Sequence, residues 1–165
     1  MSLKPLSVRG VRIDRLSGSP VVVLREDDSP RRQFEIYIAP PEAASIRLAL
    51  DHRETPRPLT HDLYVQTLDR VGVSIVQVRI THVTEGVFHA EMVLRPERGD
   101  ETVVSCRPSD ALAVALRASC PIFCAETLLD QVGEVPAEPN GGAETEILDE
   151  FREFIENISP EDFGD

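Results

Sequence analysis

The sequence contains no tryptophan, few other aromatic residues and a single lysine, Lys4. Without large aromatic side chains, the core must consist mainly of valine, leucine, isoleucine and alanine. Hydrophobic residues make up 41% of the 165 residues, which argues against a wholly disordered chain. No apolar run approaches the roughly 20 residues that cross a bilayer. Residues 1–9 also lack the apolar segment of an export signal, so we expect a soluble, cytoplasmic protein.

Several familiar motifs are also missing. There is no Gly-rich phosphate loop, no GxSxG, no HExxH, and no metal-ligand spacing among the four histidines. The number of cysteines is odd, and Cys120 and Cys124 match neither CxxC nor a zinc spacing. Each cysteine, Cys106 included, lies among apolar residues, so we expect three reduced, buried thiols.

The formal net charge of −12 is unevenly distributed along the chain. Residues 134–165 contain eleven acids and one base, whereas residues 1–133 contain 18 acids and 16 bases. The body is therefore nearly neutral, and the C-terminal segment is strongly acidic. Arginine supplies almost every cation and suits bidentate contacts with phosphate or carboxylate. A nearly neutral body does not predict strong non-specific binding to DNA.

Hydrophobic patterning predicts seven strands and four helices in the body. The predicted strands are 7–14, 20–24, 33–38, 73–83, 87–94, 101–106 and 121–124. The predicted helices are 42–50, 61–71, 108–118 and 125–132. Because the two types do not alternate strictly, we expect an α+β fold, a compact mixed sheet with packed helices, rather than a doubly wound parallel sheet.

Some expectations concern individual residues in these elements. Thr60 is predicted to cap the second helix, and Leu63, Leu68 and Val71 are predicted to form its apolar side. The segment 26–32 (EDDSPRR) is predicted to be a charged turn between two strands.

The C-terminal segment divides into a linker and a helix. Proline and glycine mark residues 134–143 as a linker, which leaves residues 1–133 as one domain. Residues 144–165 predict an acidic amphipathic helix. Its apolar stripe comprises Ile147, Leu148, Phe151, Phe154, Ile155 and Ile158. Such a stripe must dock on the body or on another subunit.

Two segments, 56–63 (PRPLTHDL) and 107–112 (RPSDAL), share one order of residue types. Each contains arginine-proline, then a hydroxyl residue, an aspartate and a leucine, and each opens a predicted helix. Capping alone explains this order, because hydroxyls and carboxylates satisfy free N–H groups and complement the helix dipole. Under this interpretation Thr60 and Ser109 are caps.

The alternative interpretation of the two segments is an anion site with a nearby metal. Arginine, hydroxyl and free helix N–H groups together suit phosphate. The predicted substrate contacts are Arg57, Thr60, Arg107 and Ser109. The predicted catalytic residues are Glu42, His61, Asp62 and Asp110. Asp62 and Asp110 would hold Mg²⁺ or Mn²⁺, and His61 would act as general base or orient water.

At these segments the chain resembles the bifunctional nuclease domain family, so named for action on both DNA and RNA. The resemblance covers about residues 6–130. It rests on residues 20–24 (PVVVL), 36–38 (IYI) with 42–43 (EA), 57–63 (RPLTHDL), 107–117 (RPSDALAVALR) and 121–122 (PI). The chain departs from the family pattern where glycine is usual, at Ala39 and in residues 51–53 (DHR) after the first helix. Both departures affect loop geometry near a substrate site.

The resemblance implies a compact α+β fold, a homodimer and nuclease activity as DNase, RNase or both. One hypothesis is therefore a metal-assisted phosphodiesterase acting on nucleic acid. The other is a non-catalytic regulatory or scaffold protein that dimerises and binds a protein partner through its acidic tail. The acidic tail weighs against tight polyanion binding unless it folds away.

Removal of residues 136–165 tests the tail directly. We expect the truncated chain to change its oligomeric state or lose a partner, because the apolar stripe needs a surface to cover it. Light scattering on the full and truncated chains, with matched pull-downs, measures both. An unchanged mass and an unchanged set of partners would contradict the predicted role of the tail.

Overall fold

The computed structural model describes residues 1–136, which form seven strands and four helices. The strands are β1 (Leu3–Ile13), β2 (Pro20–Glu26), β3 (Gln33–Tyr37), β4 (Val73–Thr84), β5 (Val87–Pro96), β6 (Thr102–Cys106) and β7 (Ile122–Ala125). The helices are α1 (Pro40–Leu50), α2 (Thr60–Arg70), α3 (Pro108–Ala118) and α4 (Glu126–Val132). The predicted acidic helix and most of the predicted linker lie outside the described residues.

One sheet contains all seven strands, in the order β3-β2-β1-β7-β4-β5-β6. Only β4 and β7 pair in parallel, and the other neighbours are antiparallel. The predicted α+β class with a mixed sheet is therefore confirmed. The β4–β5 connection is a two-residue turn, Glu85-Gly86, with φ of 51° and 79°. Positive φ at both positions matches a type I′ hairpin turn.

None of the helices in the described part of the chain is long and apolar enough to cross a membrane.

The sheet is strongly curved. Strands β3 and β5 are far apart in the strand order, yet Phe34 and Phe88 stack with ring centroids 5.9 Å apart. Neighbouring strands are about 4.8 Å apart, so a flat sheet would hold these rings more than 20 Å from each other. Register shifts in β1 and β4 indicate bulges, which increase twist and bending. The curvature brings the end of β3 close to the β4–β5 turn.

One face of the sheet carries the core. Alternate strand residues are buried, namely Leu6, Val22, Leu24, Phe34, Ile36, Val78, Ile80, Ala90 and Met92. Helix α1 packs against β1 and β2, whereas α2 and α3 pack against β4. Helix α3 also contacts both other helices and is the most buried of the three. Its small residues Ala111, Ala113 and Ala115 allow this close approach.

The prediction of which residues form the apolar side of α2 is partly wrong. Leu63 and Val71 are exposed, and no residue of α2 is fully buried. The side of α2 that packs inward carries Tyr64 and Val65, which contact the core cluster. His61 lies one turn before them on the same side, because residues three and four apart share a helix face. A polar residue therefore occupies the start of the inward stripe.

The predicted charged turn at residues 26–32 contains a buried ion pair. Glu26 is the last residue of β2, and its side chain is fully buried. Arg32 donates from Nε and Nη2 to the two Glu26 carboxylate oxygens, each at 2.9 Å. Its Nη1 donates to Asp130 of α4 at 2.5 Å. Gly133 fits closely here, since a Cβ at this position would lie 2.9 Å from the Arg32 Cβ.

We expect Glu26→Gln to lower the free energy of unfolding by roughly 3 kcal/mol, because it leaves a largely buried guanidinium with only Asp130 as its anion. The hydrogen bond from Arg32 outweighs burial and holds the pKa of Glu26 below its ordinary value. This contribution to stability is therefore complete above the ordinary carboxyl pKa and is lost as the pH falls toward the lowered one.

Urea unfolding between pH 7 and pH 3 measures both effects. Glu35→Gln is the matched control, because Glu35 pairs with Arg12 on the surface and should change little. Similar losses of unfolding free energy in the two variants would contradict a special role for the buried pair. So would a Glu26→Gln variant whose unfolding free energy falls with pH as it does in the unmodified chain.

Candidate functional site

A cluster of five polar residues lies where α1, α2 and α3 begin. Glu42 and Ser45 belong to α1, and His61 is the second residue of α2. Arg107 immediately precedes α3, and Asp110 lies in its first turn. We call these five residues the helix-start cluster. Packing of α1 and α2 against α3 brings them together across more than 60 residues of sequence.

Arg107 joins the two carboxylates of the cluster. Its Nε and Nη2 donate to Asp110 at 2.7 and 3.0 Å, and Nη2 also donates to Glu42 at 2.8 Å. Its Nη1 makes no hydrogen bond within residues 1–136, and 63% of the side chain is exposed. The guanidinium is therefore fixed in orientation, and its Nη1 hydrogens are left for a ligand.

His61 links Asp110 to Ser45. Its Nε2 lies 3.1 Å from Asp110 Oδ1, and its Nδ1 lies 2.8 Å from the Ser45 hydroxyl. An ionised carboxylate only accepts hydrogen bonds, so Nε2 carries the hydrogen. In the neutral ring Nδ1 then accepts from the Ser45 hydroxyl. Ser45 is buried, and 15% of the His61 side chain is exposed, so the ring orientation is fixed from both sides.

The cluster favours an ionised Asp110. Burial acts against the charged form, but hydrogen bonds from Arg107 and His61 hold the pKa of Asp110 below its ordinary value.

Burial, with Asp110 and Glu91 nearby, raises the pKa of the Cys106 thiol to about 11. Cys106 therefore favours the protonated thiol at neutral pH, which is a poor nucleophile. All three thiols are free, as expected, although only Cys124 is fully buried.

Asp62, which follows His61 in sequence, lies in a separate set of contacts. Its Oδ2 accepts from the Leu59 backbone N–H at 2.8 Å, and its Oδ1 accepts from Arg117 Nε. Arg117 also donates to the carbonyl of Ser45 at 3.2 Å, which connects this pair to the helix-start cluster. Burial opposes ionisation, but Arg117 and the Leu59 N–H hold the pKa of Asp62 below its ordinary value. Asp62 thus closes the first turn of α2 and ties α2 to α3.

The two similar segments differ once folded. The predicted capping residues are wrong, because the N-caps are Leu59 and Arg107 and neither Thr60 nor Ser109 occupies that position. Thr60 and Arg57 are exposed and make no hydrogen bond to the cluster. Proline at the first position of α3 moves Ser109 into the first turn, where it is 7% exposed. The segment at 107–112 alone contributes an arginine, a hydroxyl and a carboxylate to one place.

Two cavities flank these contacts. One, of about 340 Å³, is lined by the end of β3, the β4–β5 turn and residues 107–109. The other, of about 640 Å³, lies between α1, α2 and the end of α3, and its wall includes Asp62 and Arg117. We call the smaller one the Arg107 cavity. Arg107 lines this cavity and not the larger one.

The residues as arranged do not fit a resident divalent cation. Within residues 1–136, no three His, Cys, Asp or Glu side chains are placed to hold a metal ion. Both oxygens of Asp110 accept from Arg107, and Asp62 faces Arg117. Glu42 Oε2, buried without a hydrogen-bond partner, is the one cluster oxygen left for another donor or a cation. The predicted ligation of Mg²⁺ or Mn²⁺ by Asp62 and Asp110 stays a prediction.

Sequence reasoning missed Ser45 and Arg117. For each, helical spacing from a predicted residue could have indicated its position. Ser45 lies three residues after Glu42 and Arg117 seven after Asp110, so each shares a helix face with a residue that was predicted. The spacing alone does not reveal which face meets another helix.

The sequence is similar to several known proteins. Residues 22–136 match the bifunctional nuclease domain. A Mycobacterium tuberculosis protein, named only as uncharacterized, is 38% identical over 162 residues, which are 94% of this chain and 95% of the relative. Bifunctional nuclease 2 of Oryza sativa subsp. japonica is 26% identical over 79% of this chain and 41% of its own length. Bifunctional nuclease 1 of Arabidopsis thaliana is 25% identical over 62% of this chain and 32% of its own length.

These matches confirm the resemblance that the two helix starts indicated. The match to the domain covers most of the chain, and the mycobacterial relative aligns over nearly its whole length. The chain spans less than half of either plant nuclease. This chain belongs to the bifunctional nuclease domain family.

Proposed function

We propose that this protein is a phosphodiesterase that acts on DNA, RNA or both, with the helix-start cluster as its active site. One observation carries the proposal: the Arg107 guanidinium is held by two carboxylates through Nε and Nη2, while Nη1 makes no hydrogen bond within residues 1–136 and the residue lines a cavity. The two Nη1 hydrogens of a guanidinium oriented in this way can donate to the oxygens of a phosphodiester. Family membership and the two plant relatives named as nucleases support this reading.

The cluster contributes to hydrolysis mainly through position and charge, as phosphoryl transfer requires. Arg107 holds the phosphate and offsets the charge that develops on its oxygens. Asp110, fixed by Arg107 and His61, orients an attacking water molecule beside it. Water then forms the new bond to phosphorus as the bond to the leaving oxygen breaks; the proton of water passes to the Asp110 carboxylate, and the leaving oxygen takes a proton from solvent. Ser45 is a positioning residue that acts through His61.

Excess negative charge is the main electrostatic obstacle. Two carboxylates and one guanidinium leave the cluster with a net negative charge while His61 is neutral. A phosphate binds more readily if a proton on His61 or a divalent cation offsets this charge. A Mg²⁺ or Mn²⁺ ion, as the sequence predicts, would arrive with the nucleic acid rather than reside in the cluster, because Arg107 and Arg117 already pair with Asp110 and Asp62.

Cleavage of single- and double-stranded DNA and RNA by the purified chain tests the proposal. We expect Arg107→Gln and Asp110→Asn each to lower the cleavage rate by roughly 10²-fold or more, because each removes a positioned charge. Asp62→Asn is the matched control: it should lower the melting temperature through loss of the Arg117 contact and leave most of the activity.

Parallel reactions with Mg²⁺, with Mn²⁺ and with EDTA measure the cation requirement. Equal rates in Asp110→Asn and the unmodified chain would mean a contaminant or another site. If Asp62→Asn lost activity without a change in melting temperature, Asp62 would be catalytic, as the sequence predicts, and the cluster as defined here would be incomplete.

Ser45→Ala tests the positioning of His61. We expect the unmodified chain to show the Nε2–H tautomer of His61 by ¹⁵N NMR, because Asp110 accepts from that nitrogen. The variant should keep this tautomer, because Asp110 still accepts from Nε2, but it should lose the hydrogen bond at Nδ1. We therefore expect the ¹⁵N resonance of Nδ1 to move and the rate to fall about 3- to 10-fold, the worth of one hydrogen bond. Ser45→Thr, which keeps the hydroxyl, should restore both. An unchanged Nδ1 resonance in Ser45→Ala would contradict the role of Ser45.

A second candidate function is a non-catalytic regulatory or scaffold role. The observation that favours it is the pairing within the cluster, since both nitrogens of His61 and both oxygens of Asp110 already have partners. Such pairs also arise where carboxylates only join helices. The absence of cleavage under every condition would favour this role, together with the predicted homodimer and the predicted protein partner of the acidic tail. The cytoplasmic location likewise stays a prediction.

A further inference from the structure

We infer that the Arg107 cavity is a subsite for one unpaired nucleotide, whose base lies against the apolar wall and whose phosphate lies at Arg107 and Ser109. This inference rests on the proposed function and adds a substrate class to it, namely nucleotides free of base pairing. The cavity is formed by three separate parts of the chain: the end of β3, the β4–β5 turn and the start of α3.

Much of the cavity lining is apolar. The apolar residues include Ile36, Ile38, Val87, Phe88 and Pro108. Phe88 is held in place by its stacking on Phe34, and Val87 is 59% exposed at the mouth. A preformed apolar surface of this kind binds flat rings. Contact removes the apolar wall and the ring face that lies on it from water, and the wall does not have to reorganise.

The size of the cavity limits what enters. Its volume of about 340 Å³ is at the lower end of the range for small-ligand pockets. That is room for a single base with part of its sugar and no room for a duplex. Bases within a duplex are stacked and paired, so a base must leave its stack before it can enter. In single-stranded nucleic acid a base can leave its neighbours at a lower cost in free energy, because no base pair has to be broken.

The part of the lining at residues 107–109 is suited to an anion. Ser109 lines the cavity, is 7% exposed, and makes no hydrogen bond through its hydroxyl within the part of the chain that the structure describes. The hydroxyl oxygen is not itself among the buried unpartnered atoms of those residues, so a ligand in the cavity can reach it. Of the first-turn N–H groups of α3, those of Ser109 and Asp110 have no helical partner, because Pro108 has none and that of Ala111 donates to Arg107.

The two kinds of lining together define the ligand chemistry. The same cavity combines an apolar surface large enough for one ring with a hydroxyl, helix N–H groups and a guanidinium. Inorganic phosphate satisfies the polar groups alone and a nucleoside satisfies the apolar surface alone, whereas a nucleotide satisfies both. The nucleotide could come from a free monophosphate or from a single strand, and the experiment separates the two.

NMR titration of the ¹⁵N-labelled full chain with adenosine monophosphate, uridine monophosphate, adenosine and inorganic phosphate tests the subsite. We expect the monophosphates to shift the amides of residues 36–38, 87–88 and 107–110, and phosphate to shift only 107–110. A dinucleotide or a short single strand should bind at least 10-fold more tightly than a monophosphate if the strand is the natural source. Monophosphate binding as tight as that of the strand would assign the site to free nucleotides.

Val87→Glu places a charge on the apolar wall and should weaken monophosphate binding at least 10-fold while leaving phosphate binding in place. Val103→Glu is the matched control, because Val103 is also an exposed strand valine, 51% exposed, and lies outside the cavity. Ser109→Ala should weaken both phosphate and monophosphate binding by about 3- to 10-fold. Equal effects of Val87→Glu and Val103→Glu would overturn the subsite.

Cleavage assays with the same variants separate this inference from the proposed function. Cleavage that is equal on single and double strands and unaffected by Val87→Glu would overturn the subsite and leave the phosphodiesterase standing. Monophosphate binding that depends on Val87, without any cleavage, would support the subsite and overturn the phosphodiesterase. Absence of both binding and cleavage would overturn both.

Discussion

The burial of α3 between α1 and α2 is the constraint on which the rest of the structure depends. An alanine-rich helix approaches its neighbours closely, but it offers few side chains long enough to hold them in register. Arginines at its two ends supply that function: Arg107 reaches Glu42 of α1, and Arg117 reaches Asp62 of α2 and the Ser45 carbonyl of α1. Ion pairs at the two ends of α3 and close packing along its middle thus hold the three helices together. The same arginines place the polar groups of the site.

The two similar helix starts show how one order of residues leads to two roles. In α2 the aspartate turns back to the backbone N–H of Leu59, as a residue at the third helical position commonly does. In α3 the aspartate instead accepts from Arg107 and lies next to His61. The difference comes from the neighbours of each helix, because α3 begins against two other helices, whereas at the start of α2 only the side with His61 and Asp62 meets other helices and Thr60 is exposed. Local sequence selects a helix start, and tertiary packing selects what its carboxylate does.

Much of the fold follows from the sequence for definite reasons. Helix α3 spans the predicted residues because a proline fixes its start, and the β4–β5 hairpin follows from alternation around Glu85-Gly86. The inward side of α2 did not follow, since Leu63 and Val71 suggest a stripe that packing does not use. Glu42, His61, Arg107 and Asp110 were named from their chemistry, and the structure brings these four together. Ser45 was missed because a buried serine in a helix resembles any other, and Arg57 and Thr60 were named from a motif that stays exposed.

The contact between Phe34 and Phe88 has a consequence for how such a protein changes its ligands. This contact sets how far the β4–β5 hairpin reaches toward β3, and that reach sets the width of the Arg107 cavity. Hairpins tolerate insertions in pairs of residues, because the alternation of their faces is then preserved. A longer or shorter hairpin would widen or narrow the cavity while Arg107, Asp110 and His61 kept their places. If the Arg107 cavity holds a nucleotide as proposed, the segments that set ligand size are separate from those that carry the charged groups, and each can change without the other.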